Sequence, residues 1–349
     1  MNNHYLKKKL SAVALSVVLG TAALPTFAQT CDQLLNATSE ALASNSKAQV
    51  LTAINALQTD TTCNEQTLTA AKRQASAALA GLAQEQIDAG NTQAALDLIN
   101  QAPATHWAIQ ALRGDMAAAR NDRSEAAQMY NAAIDTITDA SLTEQSEELN
   151  PIISQLAKLA RENIMLAGNM SAAVSRGGEP TGLMKLATKG ITFETANTTT
   201  TPGNDNYSSG NYSGGNYSGG NYNNTPTVTT VNNADRAVFL PIRFAFNSDK
   251  LDQAGKNEAK RIASFLKTNY IASIALHGHT DDIGEASYNM DLSIRRANSL
   301  KNFLVNKGVT TQINVQGFGE SQPPDLSDQN LYDAKQKRTI ARRVELVFY

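Results

Sequence analysis

The sequence predicts two folded regions of different class: an α-helical N-terminal domain, and an α+β C-terminal domain with a mixed four-stranded sheet and helices on one face. The chain has 349 residues, which is more than one hydrophobic core usually serves. From Cys31 to Ala173 it is rich in Ala, Leu, Gln and Glu, with apolar side chains at helical spacing. From Ala237 onward, alternating strand patterns are separated by helical patterns, as in a sheet covered by helices.

Residues 1–28 have the pattern of an export signal. Three lysines precede an apolar run from Leu10 to Leu24, and the small residues up to Ala28 suit a signal peptidase. The alternative is a retained membrane anchor, but the run is shorter than the roughly 20 residues that a spanning helix needs. We therefore expect cleavage after Ala28 and an exported mature chain.

The chain has two cysteines, Cys31 and Cys63, both in the exported portion. They flank a helical hairpin pattern, so a disulfide between them is expected in an oxidising compartment. Closing a loop of about 30 residues should stabilise the fold by roughly 3 to 4 kcal/mol in the chain-entropy model. A metal site at these cysteines is disfavoured because no histidine lies nearby in the sequence.

Residues 29–175 form the predicted helical domain. The stretches "DAGNTQAALDLINQA" and "ARNDRSEAAQMYNAAI" superimpose, pairing Ala94 with Ala126 and Leu98 with Tyr130. This spacing is close to the period of about 34 residues of tetratricopeptide units, and the segment resembles such helical hairpins. A non-repeating helical bundle is the alternative. Pro151 marks the start of a further amphipathic helix.

Residues 176–234 have a different composition, with Asn-Tyr recurring among Ser and Gly in "NYSSGNYSGGNYSGGNYNN". Such a segment buries too little apolar area to offset its chain entropy, so a disordered, Tyr/Asn/Gly/Ser-rich linker is predicted. One alternative stays open. The strand-like "KGITFETA" at 189–196 could return to the last domain, which would make the tract a long loop rather than an interdomain linker.

Residues 235–349 supply the pattern of the α+β domain. "VFLPIRFAF" alternates from Leu240 to Phe246 as a first strand, and "IASIALHGHTD", "INVQGFG" and "RRVELVF" follow as further strands. Ser248 or Asp249 is available to cap the intervening helix. His277 and His279 have the spacing of a metal pair, but strand histidines packed against a helix are the favoured interpretation.

The stretch "GHTDDIGEASYNMDLSIRRA" holds acids and bases at a fixed separation. Asp281 closes the second strand, where loops commonly carry ligands. Ser293 is suited to cap a new helix after an interruption at Asp291, which would put Arg296 in that helix's first turn, beside its positive end. An acid and a base so placed suit a zwitterion with one ammonium and one carboxylate.

The blocks "RFAFNSDKL", "GHTDDIGEASYNMDLSIRRANSL", "GVTTQINVQGFGESQP" and "ARRVEL" resemble, in order, the OmpA-like C-terminal domain. The resemblance implies non-covalent binding of peptidoglycan through the free end of diaminopimelate in the stem peptide. It also implies residence in the periplasm, in association with peptidoglycan and the outer membrane. By motif position it implies that Asp281 binds the ammonium and Arg296 the carboxylate. Asn289, Asn247 and Arg342 match further positions around the same pocket, while Asp282 and Arg295 are expected to face solvent.

These observations favour a non-catalytic wall anchor that uses no cofactor or metal, with the helical domain recruiting a periplasmic or outer-membrane protein. Two alternatives remain: a peptidoglycan hydrolase using Asp281 with Glu320, and a secretion or motility scaffold in which wall binding is secondary. Residues 235–349 hold 16 Lys and Arg against 13 Asp and Glu. The mature chain has no basic run, so a nucleic-acid partner is not expected.

Overall fold

The structure is a computed structural model that describes residues 30–44, 46–174, 178–188, 237–245 and 248–348. The predicted export signal at 1–28, the predicted site residue Asn247, and most of the predicted linker lie outside the described residues.

The N-terminal region is helical, as predicted. Its helices are α1 (Cys31–Ala43), α2 (Lys47–Thr59), α3 (Glu65–Asp88), α4 (Thr92–Asn100), α5 (Trp107–Ala119), α6 (Arg123–Thr138), α7 (Asn150–Ala167) and the short α8 (Leu183–Ala187). Polar caps set several of the starts, since Asn64 accepts from the backbone of Thr67 and Asp122 from that of Glu125. Pro151 lies at the first positions of α7, where its missing N–H costs nothing.

Two hairpin turns in this region have the same backbone shape. Gly90 and Asn121 both adopt positive φ, and the amide of each donates 3.0 Å to the carbonyl three residues earlier. The turns join α3 to α4 and α5 to α6, so the matching sequence stretches form matching hairpins. Tetratricopeptide-like character stays a prediction.

The predicted disulfide is present between Cys31 and Cys63, with their Cα atoms 4.8 Å apart. Cys31 begins α1 and Cys63 precedes α3. The bridge therefore closes the hairpin of α1 and α2 against the start of the next helix.

The C-terminal region forms the predicted mixed sheet. Its elements are β1 (Ala237–Leu240), α9 (Gln253–Thr268), β2 (Ser273–His279), α10 (Ala286–Asn306), β3 (Gln312–Gly319), α11 (Ala334–Ala341) and β4 (Val344–Phe348). The strand order is β1-β4-β2-β3, with β2 and β3 parallel and β4 antiparallel to both β1 and β2. On the face covered by α9, Phe265 meets Phe348 edge to face at 5.9 Å between ring centroids.

Two local predictions in this region were wrong. β1 ends at Leu240, before the predicted Phe246, because Pro241 has no N–H to continue the ladder. α9 is capped by Asp252, whose side chain accepts 2.7 Å from the Gly255 amide, and not by Ser248 or Asp249.

The helical region packs directly on the C-terminal sheet. Phe239 of β1 clusters with Met165 of α7 and with Leu326, Tyr332 and Ile340. Residues of the predicted linker take part in the same packing, since Leu183 and Met184 of α8 are fully buried and α8 contacts β1. The chain therefore leaves the described part after Thr188 close to the strand where it returns at Ala237. Across the described ranges, no helix combines the length and apolarity needed to cross a membrane.

Candidate ligand-binding site

The candidate site lies where β2 ends and α10 begins. The helix is uninterrupted from Ala286 to Asn306, so the predicted break at Asp291 was wrong. Ser293 does not cap a second helix, because its hydroxyl donates 2.7 Å to the Met290 carbonyl and accepts 3.0 Å from the Gly319 amide. Arg296 therefore lies in mid-helix, away from the positive end of the helix dipole.

Asp281 is held by a different arginine from the one that the sequence paired with it. Arg342, the residue after α11, donates from Nη1 to Asp281 Oδ2 at 2.5 Å, and its Nη2 donates 3.2 Å to Thr339. The Ile283 amide lies 3.4 Å from the other Asp281 oxygen. The Asp281 side chain is 12% exposed and that of Arg342 is 43% exposed, so solvent and ligands can reach this pair.

The loop after β1 contacts Arg296 in two ways, through an aromatic ring and through a backbone carbonyl. Its guanidinium lies over the Phe244 ring at 5.1 Å, and Nε donates 3.2 Å to the Ser248 carbonyl. Burial, and then the nearby charge of Arg342, lower the pKa of Arg296 from its ordinary value. Within the described part of the chain, no carboxylate lies in ion-pair distance of this guanidinium.

Asn289 fixes the loop between Asp281 and α10. It is 2% exposed, and its Nδ2 donates 2.6 Å to Glu320 Oε2 and 3.2 Å to the Ile283 carbonyl, with Asp281 O at 3.4 Å. Gly284 inside this loop has φ of 108°, which side chains other than glycine rarely allow. Asn289 therefore shapes the rim of the site through its own hydrogen bonds.

A cavity of about 410 Å³ adjoins these residues. Arg296 and Arg342 both line it, whereas Asp281 reaches it through its contact with Arg342. The structure thus brings Asp281, Asn289, Arg342 and Arg296 to one region, in which Arg342 contacts the acid and shares a cavity with the second arginine. Further lining residues, which sequence reasoning had not assigned to the site, are Arg243, Phe244, His279, Arg343 and the end of α7 at 165–168.

The two strand histidines both contact the aromatic ring of Phe318, and their predicted packing against a helix stays a prediction. His277 meets Phe318 edge to face at 5.1 Å, and His279 stacks on it at 5.3 Å. Between them, the bare backbone of Gly278 faces Ser293 of α10, so the histidines point to the other side of the sheet.

The acid beside the histidines is Glu345. Burial raises its pKa, but the neighbouring His279 ring and the charge of Arg343 outweigh this and bring the pKa of Glu345 down to about 2. Among the described residues, no group of three or more His, Cys, Asp or Glu side chains is placed to hold a metal ion.

The expected solvent-facing neighbours are charged residues with partners of their own. Arg295 pairs with Asp291 one helical turn earlier, and Asp282, whose side chain is 79% exposed, lies 3.6 Å from Arg338. They therefore provide internal controls for the neighbouring site residues.

Comparisons with known proteins bear on this part of the chain. Residues 243–338 match the model of the OmpA family. Outer membrane porin F of Pseudomonas aeruginosa is 37% identical over 110 residues, which cover 31% of this chain and 30% of the relative. The peptidoglycan-associated lipoprotein of Buchnera aphidicola is 32% identical over 100 residues, which cover 28% of this chain and 58% of the relative. The chain spans about a third of the length of the porin F relatives that it matches.

Solved structures match the same part of the chain. The peptidoglycan-associated lipoprotein from Burkholderia pseudomallei is 26% identical, with a TM-score of 0.27, covering 31% of this chain and 88% of that one. The cell wall anchor of the T6SS from Pseudomonas aeruginosa is 24% identical, with a TM-score of 0.26, covering 32% of this chain and 78% of that one.

Proposed function

We propose that this chain, which carries an OmpA family domain at residues 243–338, is a non-catalytic anchoring protein that holds on to peptidoglycan in a Gram-negative envelope. The names of two relatives support this, since one is a peptidoglycan-associated lipoprotein and the other an outer membrane porin. An exported protein of this kind would reside in the periplasm, in association with the wall and the outer membrane.

The ligand in this proposal is the free end of diaminopimelate in a stem peptide. Its ammonium binds Asp281 and its carboxylate binds Arg296, each through charge-assisted hydrogen bonds. The observation that carries the proposal is the position of Arg342, which contacts the Asp281 carboxylate at 2.5 Å and lines the same cavity as Arg296. In the ligand-free protein, the Arg342 guanidinium takes the place at Asp281 that the ligand's ammonium would occupy.

The remaining predicted contacts have supporting roles in this proposal. Asn289 keeps the Asp281 loop in shape, and Arg342 is released from Asp281 to approach the ligand. Asn247 remains a predicted contact outside the described residues. Recruitment of an envelope protein by the helical region also stays a prediction.

Sedimentation with purified sacculi tests the site. Arg296→Ala and Asp281→Asn should each weaken binding about ten- to hundredfold, because a hydrogen bond to a charged group contributes roughly 1.5 to 3 kcal/mol. Free diaminopimelate should compete with the parent protein for sacculi.

The matched controls are Arg295→Ala and Asp282→Asn, which remove the same charges one residue away. Both should bind sacculi as the parent does, and all four variants should keep the parent's melting temperature within a few degrees. Equal sedimentation of Arg296→Ala, Asp281→Asn and the parent would overturn the site. Release of soluble fragments from the sacculi over time would favour a hydrolase instead.

A further inference from the structure

The cavity beside Arg296 has walls from both parts of the chain. The C-terminal domain supplies Phe244, His279, Arg296 and Arg342, and the helical region supplies residues 165–168 at the end of α7. Its volume of about 410 Å³ falls in the range of roughly 300 to 1,000 Å³ that is typical of small-ligand sites. A zwitterionic end group that binds Asp281 and Arg296 would not use the part of the cavity that is lined by α7.

The end of α7 is held firmly against the C-terminal domain. Arg161 donates 2.8 Å from Nε to the Ala237 carbonyl, and Lys158 lies 2.6 Å from Asp325. Glu162 accepts 2.6 Å from the Tyr332 hydroxyl and 2.5 Å from the Ser327 hydroxyl. These contacts run along one face of the helix over its last three turns, so the helix end is a fixed wall of the cavity.

This wall presents hydrogen-bond acceptors. An α-helix leaves its last four carbonyls without partners inside the helix, and together they carry partial negative charge. At α7, the Gly168 amide donates 2.9 Å to the Ile164 carbonyl, in a left-handed cap with φ of 73°. The three carbonyls that follow belong to residues 165–167, which line the cavity.

The lining of the cavity also includes a buried imidazole. His279 is 2% exposed and lines the same cavity. Among the described residues its Nδ1 has no hydrogen-bond partner, and its Nε2 comes no closer than 3.5 Å to the Glu345 carboxylate. A buried ring nitrogen without a partner is costly unless a ligand or water completes it.

We propose that the α7 end and His279 form a second subsite, which binds the amide backbone of the stem peptide next to the zwitterionic end group. An amide has one donor and one acceptor, so it can donate to a carbonyl of the α7 end and accept from a ring N–H of His279. This inference rests on the proposed function and extends it: the helical region takes part in recognition, and the site distinguishes peptide-linked diaminopimelate from the free amino acid. Free diaminopimelate has a second zwitterion where the stem peptide has amides.

Titration calorimetry with two ligands tests the subsite in the full mature chain. The ligands are free diaminopimelate and a soluble stem peptide that contains it. The parent should bind the peptide about three- to tenfold more tightly than the free amino acid, as expected for one or two added hydrogen bonds. His279→Phe, which keeps the stack on Phe318, and Ala167→Trp, which adds bulk at the α7 wall, should each weaken binding of the peptide more than binding of the free amino acid, so that the preference is lost.

The control is Ala48→Trp, a matched substitution on the exposed surface of α2, which should keep the preference. The subsite is overturned if both site variants keep the peptide preference, or if they weaken the two ligands equally. If the parent binds neither ligand, the proposed function fails, and the subsite fails with it. Near-ultraviolet circular dichroism identifies a variant that has lost its fold, and in that case the other variant decides.

Discussion

At the scale of single residues, one buried amide controls the rim of the site. Asn289 joins the loop after β2 to the loop after β3, through the Ile283 carbonyl and the Glu320 carboxylate. Both acceptors would lose their donor if the amide were removed, and the bond to the charged Glu320 carboxylate is the stronger of the two. Asn289 thus acts on the ligand through the position of Asp281, which begins the same loop.

Asn289→Ala should lower the free energy of unfolding by about 1 to 3 kcal/mol. Asn289→Asp should lower it further at neutral pH, because the new carboxylate would face Glu320 across 2.6 Å. The measurement is urea unfolding at pH 7 and again at pH 4, where the gap between the two variants should narrow.

The matched control is Asn298→Ala, on an exposed face of the same helix, where the amide donates 3.1 Å to the Ile294 carbonyl. It should change stability by no more than about 0.5 kcal/mol. An equal loss in Asn289→Ala and Asn298→Ala would contradict the role given to Asn289.

At the scale of elements, the contact of α10 with the sheet sets the reach of Arg296. Gly278 of β2 and Gly317 of β3 have no side chains, and a Cβ at either would collide with Ser293 or Ile294. The helix can therefore approach the strands closely, and the Ser293 hydroxyl fastens it to the Gly319 amide. Arg296 lies three residues after Ser293 on the same helix, so the anchoring of Ser293 also sets the position of the Arg296 backbone.

A pair of glycine substitutions tests the close approach. Gly278→Ala should lower the free energy of unfolding by about 1 to 3 kcal/mol, since the methyl group would meet backbone that cannot move aside. Gly81→Ala, inside α3 with open space around its Cβ position, should raise it by about 0.5 to 1 kcal/mol. Denaturant unfolding measures both, and losses of similar size at the two positions would contradict the packing argument.

At the scale of the whole molecule, α7 joins the two regions through a buried acid. Burial raises the pKa of Glu162 to about 7, although its hydrogen bonds to Ser327 and Tyr332 act in the opposite direction. The raised pKa means that the folded protein binds a proton more tightly than the unfolded chain does. The stability contributed by this proton is complete below the unfolded pKa of 4.5 and falls as the pH rises to about 7.

We expect the parent to lose more stability between pH 5 and pH 8 than Glu162→Gln does, because the variant cannot ionise at this position. Urea unfolding across this pH range gives the comparison. The difference between parent and variant is the relevant quantity, since burial also raises the pKa of Asp115, to about 6. Glu345 titrates far below this window, with its pKa near 2. Parallel pH profiles of parent and variant would contradict the assignment.

The packing of α7 also changes the relation between the two regions. A freely tethered helical domain would sample many positions around the wall-binding domain, whereas here Arg161, Lys158 and Glu162 fix one position. A mechanical force that pulls on the helical region would therefore be transmitted directly to the domain that carries the site.

Several features could be predicted from a local pattern, from the number of cysteines or from a motif position. The start of α7 at Asn150–Pro151 follows from the fixed φ of proline, and β4 from the alternation of Val344, Leu346 and Phe348. The closed loop of Cys31 and Cys63 follows from their number and setting. Asp281, Asn289, Arg296 and Arg342 were named from motif positions, and the structure gathers all four into one region.

The class of each region, the disulfide and the residue types available at the site could all be inferred before any long-range contact was known. Long-range packing was needed to show that Ser293 bonds to Gly319 instead of capping a helix, that Arg342 contacts Asp281 from 61 residues away, and that the end of α7 lines the cavity. The physical reason is that periodicity and capping are local, whereas the partner of a hydroxyl or a guanidinium depends on which distant segments bury one another.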